Sequence, residues 1–295
     1  MQKITPFLWF DHQAEQASHF YSTVFRNSNL GQVTYYGDSG PGPVGSVMTV
    51  SFELEGLQFT ALNGGPIFKF TPAVSFFVNC ATEGELDEIW GKLSAKGSIL
   101  MTLQSYPFSD KFGWVADHFG VNWQLNLADR VQKIAPFLMF VGQQHGRAEE
   151  AIKLYTSIFD NSSINQITRH GPGTDGQPGT VMHAIFHLHG VEFMAIDSQY
   201  EHQFEFTEAI SFQVSCDSQQ EVDYFWDRLG DGGDESAQQC GWLKDRYGLS
   251  WQIVPKILLD LLNDPDSQKA KRGTEAMLKI KKIEISCLLE AYSQS

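Results

Sequence analysis

Three things are scarce in this chain, and each scarcity removes a class of function. Cysteine is the first: 295 residues hold only Cys80, Cys216, Cys240 and Cys287. They are widely spaced and form none of the close pairs that make zinc knuckles or redox motifs, so reduced, mostly buried thiols are expected. Long apolar runs are missing too. No stretch reaches the roughly 18 residues a membrane helix needs, and the N-terminus shows no charged region followed by an apolar run and cleavage site. A cytoplasmic protein with no membrane partner is the expectation. Positive charge is also short, with 21 Lys and Arg against 35 Asp and Glu and a net charge of −14. Polyanions are gripped by clustered Lys and Arg that displace counterions, so no nucleic-acid partner is expected.

What the chain does have is 42% apolar residues, enough for packed cores, and a text that repeats. "KITPFLWF" at 3 to 10 returns as "KIAPFLMF" at 133 to 140. "FKFTPAVSFFVNC" (68 to 80) returns as "FEFTEAISFQVSC" (204 to 216), and "WVADHFGVNWQL" (114 to 125) as "WLKDRYGLSWQI" (242 to 253). Order is kept, which marks a duplicated domain with small loop insertions. The repeats span 1–130 and 131–255, and a tail covers 256–295.

Each repeat reads twice as strand, helix and three strands. In the first, "ITPFLWF" is a strand, and Ala17, Phe20, Tyr21 and Val24 recur at helical spacing over 14 to 26. "QVTYY", "SVMTVSFEL" and "LQFTAL" follow as strands, with Glu55-Gly56 as a tight turn. "AVSFFVN" restarts the pattern, "GELDEIWGKLSAKG" is its helix with a glycine stop, and "ILMTL", "GWVAD" and "NWQLN" complete it. The fold class is therefore α+β, with four βαβββ units, two per repeat.

These strings, together with "KITPFLWFDHQAEQASHFY", "YPFSDKFGWVADHFGVNWQL" and the tail "DPDSQKAKRGTEAMLKIKKIEI", resemble the glyoxalase/bleomycin-resistance or vicinal oxygen chelate superfamily. The particular branch is similar to PhnB and is labelled 3-demethylubiquinone-9 3-methyltransferase. The resemblance implies curved sheets around cupped pockets and a pseudo-dimer within one chain, with a homodimer as a further option. It also implies, for many members, one divalent metal held by His and Glu from the strands. Where it places the metal-binding Glu of the last strand, this sequence has Gln124 and Gln252, and Ser75 and Ser211 stand in the equivalent strand of the second unit. The first strands contain no histidine. Divalent metals need anionic or imidazole ligands, so no metal is expected.

Other candidate sites meet plainer readings. His183, His187 and His189 fall on one face by the period of two, a face expected to meet water. His12, His118 and His145 are expected to be exposed beside turns. A nucleotide loop requires a following helix N-terminus, yet "GDSGPGPVG" (37 to 45) is followed by a strand, so it reads as a hairpin loop and no cofactor is expected. No Ser-His-Asp set can be assigned, and no spacing ties a histidine to Cys240.

The repeated WxxDxxGxxWQ motif remains, at Trp114, Asp117, Gly120, Trp123 and Gln124 and again at Trp242, Asp245, Gly248, Trp251 and Gln252. Asp and Gly suit a tight turn. Strand alternation then puts Trp123 and Trp251 in the core and turns Gln124 and Gln252 to the concave side, where an amide can donate and accept hydrogen bonds. Trp9, Ser75, Ser211 and Gln213 complete the expected pocket lining. The two pockets should differ, because Trp9 becomes Met139 and Phe77 becomes Gln213 between repeats, and the Gln252 pocket is preferred. In the tail, "KILLDLL" reads as a helix. Asp264-Pro265 starts a second that runs through "AMLKIKKIEISCLLEAY" and packs Met277, Ile280 and Ile283 on the body. The sequence thus points to a metal-independent protein that binds a small organic ligand. The alternatives are a 3-demethylubiquinone 3-methyltransferase-like enzyme and a divalent-metal-dependent lyase or dioxygenase.

Overall fold

The computed structural model describes residues 2–262 and 264–293. Unit 1 comprises β1 (Ile4–Phe10), α1 (Ala14–Val24), β2 (Ser28–Tyr35), β3 (Val47–Leu54) and β4 (Leu57–Asn63). Unit 2 comprises β5 (Val74–Cys80), α2 (Glu83–Ser94), β6 (Ser98–Tyr106), β7 (Ser109–Ala116) and β8 (Asn122–Leu127). The second repeat supplies unit 3, with β9 (Ile134–Phe140), α3 (Ala148–Ile158), β10 (Ser163–Arg169), β11 (Val181–Leu188) and β12 (Val191–Asp197). Unit 4 has β13 (Ile210–Cys216), α4 (Gln219–Gly230), β14 (Asp234–Gln239), β15 (Trp242–Lys244) and β16 (Ser250–Pro255).

Local chemistry explains the helix starts. Thr82 accepts from Glu85 N–H while Glu85 accepts from Ala81 N–H, and Ser218, Glu221 and Asp217 repeat that arrangement before α4, a reciprocal cap of the S/T-x-x-E type. The helices α1 and α3 have no such cap of their own. Asn63, at the end of β4, accepts from Ala14 N–H, and Asp197 at the end of β12 accepts from Ala148 N–H. The tight turn at Glu55-Gly56 forms with both residues at positive φ, 49° and 86°, as a two-residue hairpin requires.

The strands join in a way the repeats do not announce. One eight-stranded sheet runs β14-β15-β16-β13-β1-β4-β3-β2, and the other β10-β11-β12-β9-β5-β8-β7-β6. The first sheet is therefore units 1 and 4, and the second is units 2 and 3. Antiparallel pairing of β1 with β13 and of β5 with β9 makes the two joints. Cores follow the other division. Within the first repeat Tyr21, Phe25 and Phe76 pack on Trp123, and in the second Tyr155, Phe159 and Phe212 pack on Trp251. Two linkers cross between the sheets and clasp each other, Thr71 Oγ1 donating to the Glu205 carbonyl at 2.8 Å and Thr207 Oγ1 to the Lys69 carbonyl at 2.9 Å. That reciprocity is what a pseudo-twofold relation between repeats produces.

The tail departs from its sequence reading in two places. The helix α5 (Lys256–Leu262) is as expected, but α6 (Ser267–Met277) is capped by Asp266, which accepts from Gln268 and Lys269 N–H, and not by Asp264. Asp264 instead accepts from Asp266 N–H and from the Tyr292 hydroxyl. The long final helix is broken, and α7 spans only Ile285–Ser293. Between the two, the Ile280 and Lys281 carbonyls accept from Cys240 and Gly241 N–H at 2.8 Å. Those tertiary bonds compete with helical ones for the same carbonyls, and Ile283 is wholly buried beside Gly241.

Candidate functional site: two faces built to one plan

The repeated Asp turns are structural anchors. Asp117 is buried and accepts four hydrogen bonds: Phe119 N–H at 2.8 Å, Val121 N–H at 3.1 Å, the Tyr21 hydroxyl at 2.8 Å and the Trp123 indole at 2.9 Å. Asp245 repeats the set with Tyr247, Leu249, Tyr155 and Trp251. Burial pushes both carboxyls above the usual range against the opposing pull of these bonds, and the same burial, with the Asp beside it, raises Tyr21 and Tyr155. The tyrosine lies on one unit's helix and the aspartate on the next unit's turn, so each anchor pins two units of one repeat together. Gly120 and Gly248 complete the turns at φ of 92° and 84°.

From each anchor a strand returns with alternating faces. Trp123 and Trp251 are fully buried in the core. On the opposite face Gln124 Nε2 donates to Ser75 Oγ at 2.8 Å, and Gln252 Nε2 donates to Ser211 Oγ at 2.9 Å. The structure thus brings together, in two separate pairs, four of the residues expected from sequence. Gln213 lies next to Gln252 in register and Trp9 lies two strands from it in the first sheet. All three share the face opposite the helices.

In the first sheet this face forms a trough. Trp242 on β15 is three strands away from β1, about 14 Å across a flat sheet. Even so, its ring lies 5.7 Å from both Phe7 and Trp9. The sheet must curl inward for those rings to meet. Phe68 closes on Trp9 at 5.0 Å, and the Trp9 indole donates to the Gly65 carbonyl at 2.8 Å. Gly64 is required here, since a Cβ would stand 2.1 Å from the Trp9 ring. Beside this end lies a cavity of about 490 Å3 whose lining includes Asp11, Tyr36, Val47, Asn63 and Gly65. Much of the trough remains half-buried and polar: Thr5, Ser51, Thr60, Gln213 and Lys244 all keep some exposure. The tail ties the sheet's two edges, with Ser39 donating to Glu275 at 3.0 Å near β2 and the 280–281 segment bonded to the turn between β14 and β15.

The matching face of the second sheet is filled. Ala135, Phe137, Met139, Ile185 and Met194 form a buried apolar cluster, with Phe77 and Trp114 packed against it. At equivalent positions the first sheet has Thr5, Phe7, Trp9, Ser51 and Thr60. Three buried polar atoms on this face, Trp114 Nε1, Asn122 Oδ1 and Asn79 Nδ2, have no hydrogen-bond partner.

His183 also lies here, which corrects the expectation that it faces water: it is half-buried, and desolvation followed by the Arg130 charge lowers its pKa. His187 binds Asn165 on the neighbouring strand, while His189 is outside β11, at positive φ in the turn. His12 and His118 are exposed, but His145 is only half-exposed. Cys80 and Cys216 are buried, and burial first of all pushes both thiols up to about 12. Cys240 is intermediate and Cys287 is exposed.

Neither of the two groups the resemblance implies finds a matching donor set. For a divalent metal, Gln252 and Ser211 are neutral and already bonded to each other, and the ammonium of Lys244 shares their face. His183 and His187 are four residues apart on a strand, about 13 Å, too far to share one ion. Among the described residues no group of three or more His, Cys, Asp or Glu is placed to hold a metal. For a nucleotide-type cofactor, the 37–45 segment is a hairpin loop, with Tyr36 N–H bonded to the Ser46 carbonyl and Gly45 N–H to the Tyr36 carbonyl. Its Gly40 and Gly42 lie against the Tyr36 ring, where a Cβ would collide, and β3 follows.

Comparison with known proteins agrees with this architecture. The chain matches the family model described as 3-demethylubiquinone-9 3-methyltransferase over residues 2–126 and again over 132–254. A PhnB protein from Bacillus cereus, provisionally described as a 3-demethylubiquinone-9 3-methyltransferase, is 46% identical, with 43% of this chain covering 100% of that one at a TM-score of 0.41. Glyoxalase I from Zea mays shares the fold at 10% identity and TM-score 0.55, covering 85% of this chain and 93% of that one. A structure from Bacillus subtilis provisionally described as a dioxygenase does so at 11% identity and TM-score 0.52, covering 95% of this chain and 90% of that one. The curated proteins yield no match. Two family matches in tandem on a glyoxalase-like fold settle the affiliation: the chain belongs to the 3-demethylubiquinone-9 3-methyltransferase family and carries its domain twice.

Proposed function

We propose that this protein binds a small organic molecule, without a metal, in the trough of the first sheet. The observation that carries the reading is the contrast between the two faces. An apolar face that serves only stability is filled, as in the second sheet. The first sheet leaves aromatic walls and polar groups half open, the composition of a ligand cleft. Gln252 contributes an amide held by Ser211, and Trp9, Phe7 and Trp242 contribute ring surface.

The test is native mass spectrometry of the full chain purified from its own cells. One small organic molecule per chain should be recovered, and it should be lost when Trp242→Ala removes one wall. Metal analysis of the same sample should find no stoichiometric Zn, Fe, Mn or Ni. A divalent ion at one equivalent, or a chain that carries no organic molecule and takes up none from a cell extract, would sink the reading.

A further inference from the structure

At the end of the trough where β13 begins lies an ion pair with no counterpart at the equivalent positions of the first repeat. Lys244 Nζ stands 3.4 Å from Glu208 Oε1, and each side chain is about four-fifths covered, at 19% and 22% exposure. Strand alternation puts Lys244 on the face of Trp242, since Leu243 between them is in the core. Opposite Lys244 across the strand pair is Ser250, 1% exposed, whose hydroxyl has no hydrogen-bond partner, and Ser250 in turn is level with Ser211. The corresponding residues of the first repeat are Ala116 for Lys244 and Pro72 for Glu208. The second sheet therefore manages without this pair, which makes a requirement of the fold a poor explanation for it.

Building on the ligand-binding reading above, we propose that Lys244 and Glu208 set the charge class of the trough, selecting an uncharged ring compound that carries both a hydrogen-bond donor and an acceptor. The two charges cancel over a short distance, so neither an incoming anion nor a cation meets a net opposite charge. A charged ligand must also give up water on entering, which raises its cost. A neutral hydroxyl group can accept from Lys244 and donate to Glu208 without breaking the pair. The orphaned Ser250 hydroxyl supplies a further donor or acceptor beside them. The ring itself would lie against Trp242 and Trp9, both half-buried, where offset or edge-on aromatic contact can form.

Ligand-observed NMR titration of the full chain with phenol, benzoate and benzylammonium tests the inference, phenol being neutral at pH 7 with a pKa of about 10 like the tyrosine hydroxyl. The native protein should bind phenol in preference to either ion. Glu208→Gln frees the lysine and should raise benzoate affinity relative to phenol by about tenfold. Lys244→Gln should do the same for benzylammonium, a shift of the size expected for one partly buried charge. The double variant should return to the neutral preference, which guards against an effect of damage to either single variant. If the order of the three probes is unchanged to within about twofold in all four proteins, with binding still weakened about tenfold by Gln252→Ala, the charge-selection inference is overturned and the binding reading stands. If no probe binds any of the four, both fall.

Discussion

The two sheets of this protein are one design executed twice with different fillings. Both place a glutamine on the closing strand and a serine beside it, bonded at 2.8 and 2.9 Å. Both rest on the same four-bonded aspartate turn. What differs is the row of side chains between. Met139, Ile185 and Met194 close the second face into a small core, while Trp9, Ser51 and Thr60 keep the first one polar and half open. The lesson is that one repeated plan can carry a filled face on one sheet and a half-open face on the other. The helical tail reinforces the asymmetry, since it ties the edges of the first sheet.

The largest expected effect tests what the faces have in common. Asp117→Ala and Asp245→Ala each strand a buried tyrosine hydroxyl and an indole N–H, so each should cost about 3–5 kcal/mol in urea unfolding, and the two costs should match. A large inequality would mean that the repeats do not share one anchor. These carboxyls also carry a pH signature. Their folded pKa is raised, so their contribution is full below the unfolded value of about 3.9 and is lost as pH rises through the folded value. The stability advantage of the native protein over Asp245→Asn should accordingly grow as pH is lowered from 7 toward 4.

Smaller, and aimed at the difference itself, is a pair of swaps. Met194→Thr opens a cavity in the filled face and should cost about 2–3 kcal/mol. The reciprocal Thr60→Met puts a side chain into the trough and should change stability by less than about 0.5 kcal/mol. Equal costs in thermal or urea denaturation would erase the distinction between a packed and an open face.

The last comparison concerns the glutamines. Gln252→Ala should weaken ligand binding by about tenfold, or about 1.4 kcal/mol, and Gln124→Ala by less than twofold. A loss confined to Gln124→Ala in calorimetric titration would move the site to the second sheet.

Much of this was legible in the residues. That Gln124 and Gln252 lie on the face opposite Trp123 and Trp251 follows from strand period, a local property, whereas their bonds to Ser75 and Ser211 depend on which strands pair. The WxxDxxGxxW turn was legible because Asp and Gly at that spacing serve their own backbone. The sequence did not show that Asp117 would also receive Tyr21, although a tyrosine at the same helical position in both repeats, Tyr21 and Tyr155, was a usable signal. His183 was misjudged because its face looks polar when read against Thr49 and Ser51, whereas its own ring lies 6.5 Å from Phe137, a member of the apolar cluster that fills the second sheet. The cap moved from Asp264 to Asp266, and the last helix broke at 278–284, because tertiary hydrogen bonds to Cys240 and Gly241 outbid local propensity.

The sequence by itself determined the repeat, the four βαβββ units and the strand faces, because all of these depend on residue type and short-range period. Only the tertiary structure decided that unit 1 pairs with unit 4 and unit 2 with unit 3. Equivalent strand edges such as β1 and β5 offer the same backbone donors and acceptors, so nothing in their residues chooses a partner. The choice is made where whole surfaces meet, with the core of each repeat and the clasp between Thr71 and Thr207 satisfied at once. That pairing sets Lys244 and Trp242 of one repeat across from Trp9 and Phe7 of the other, and so creates a trough that neither repeat contains alone.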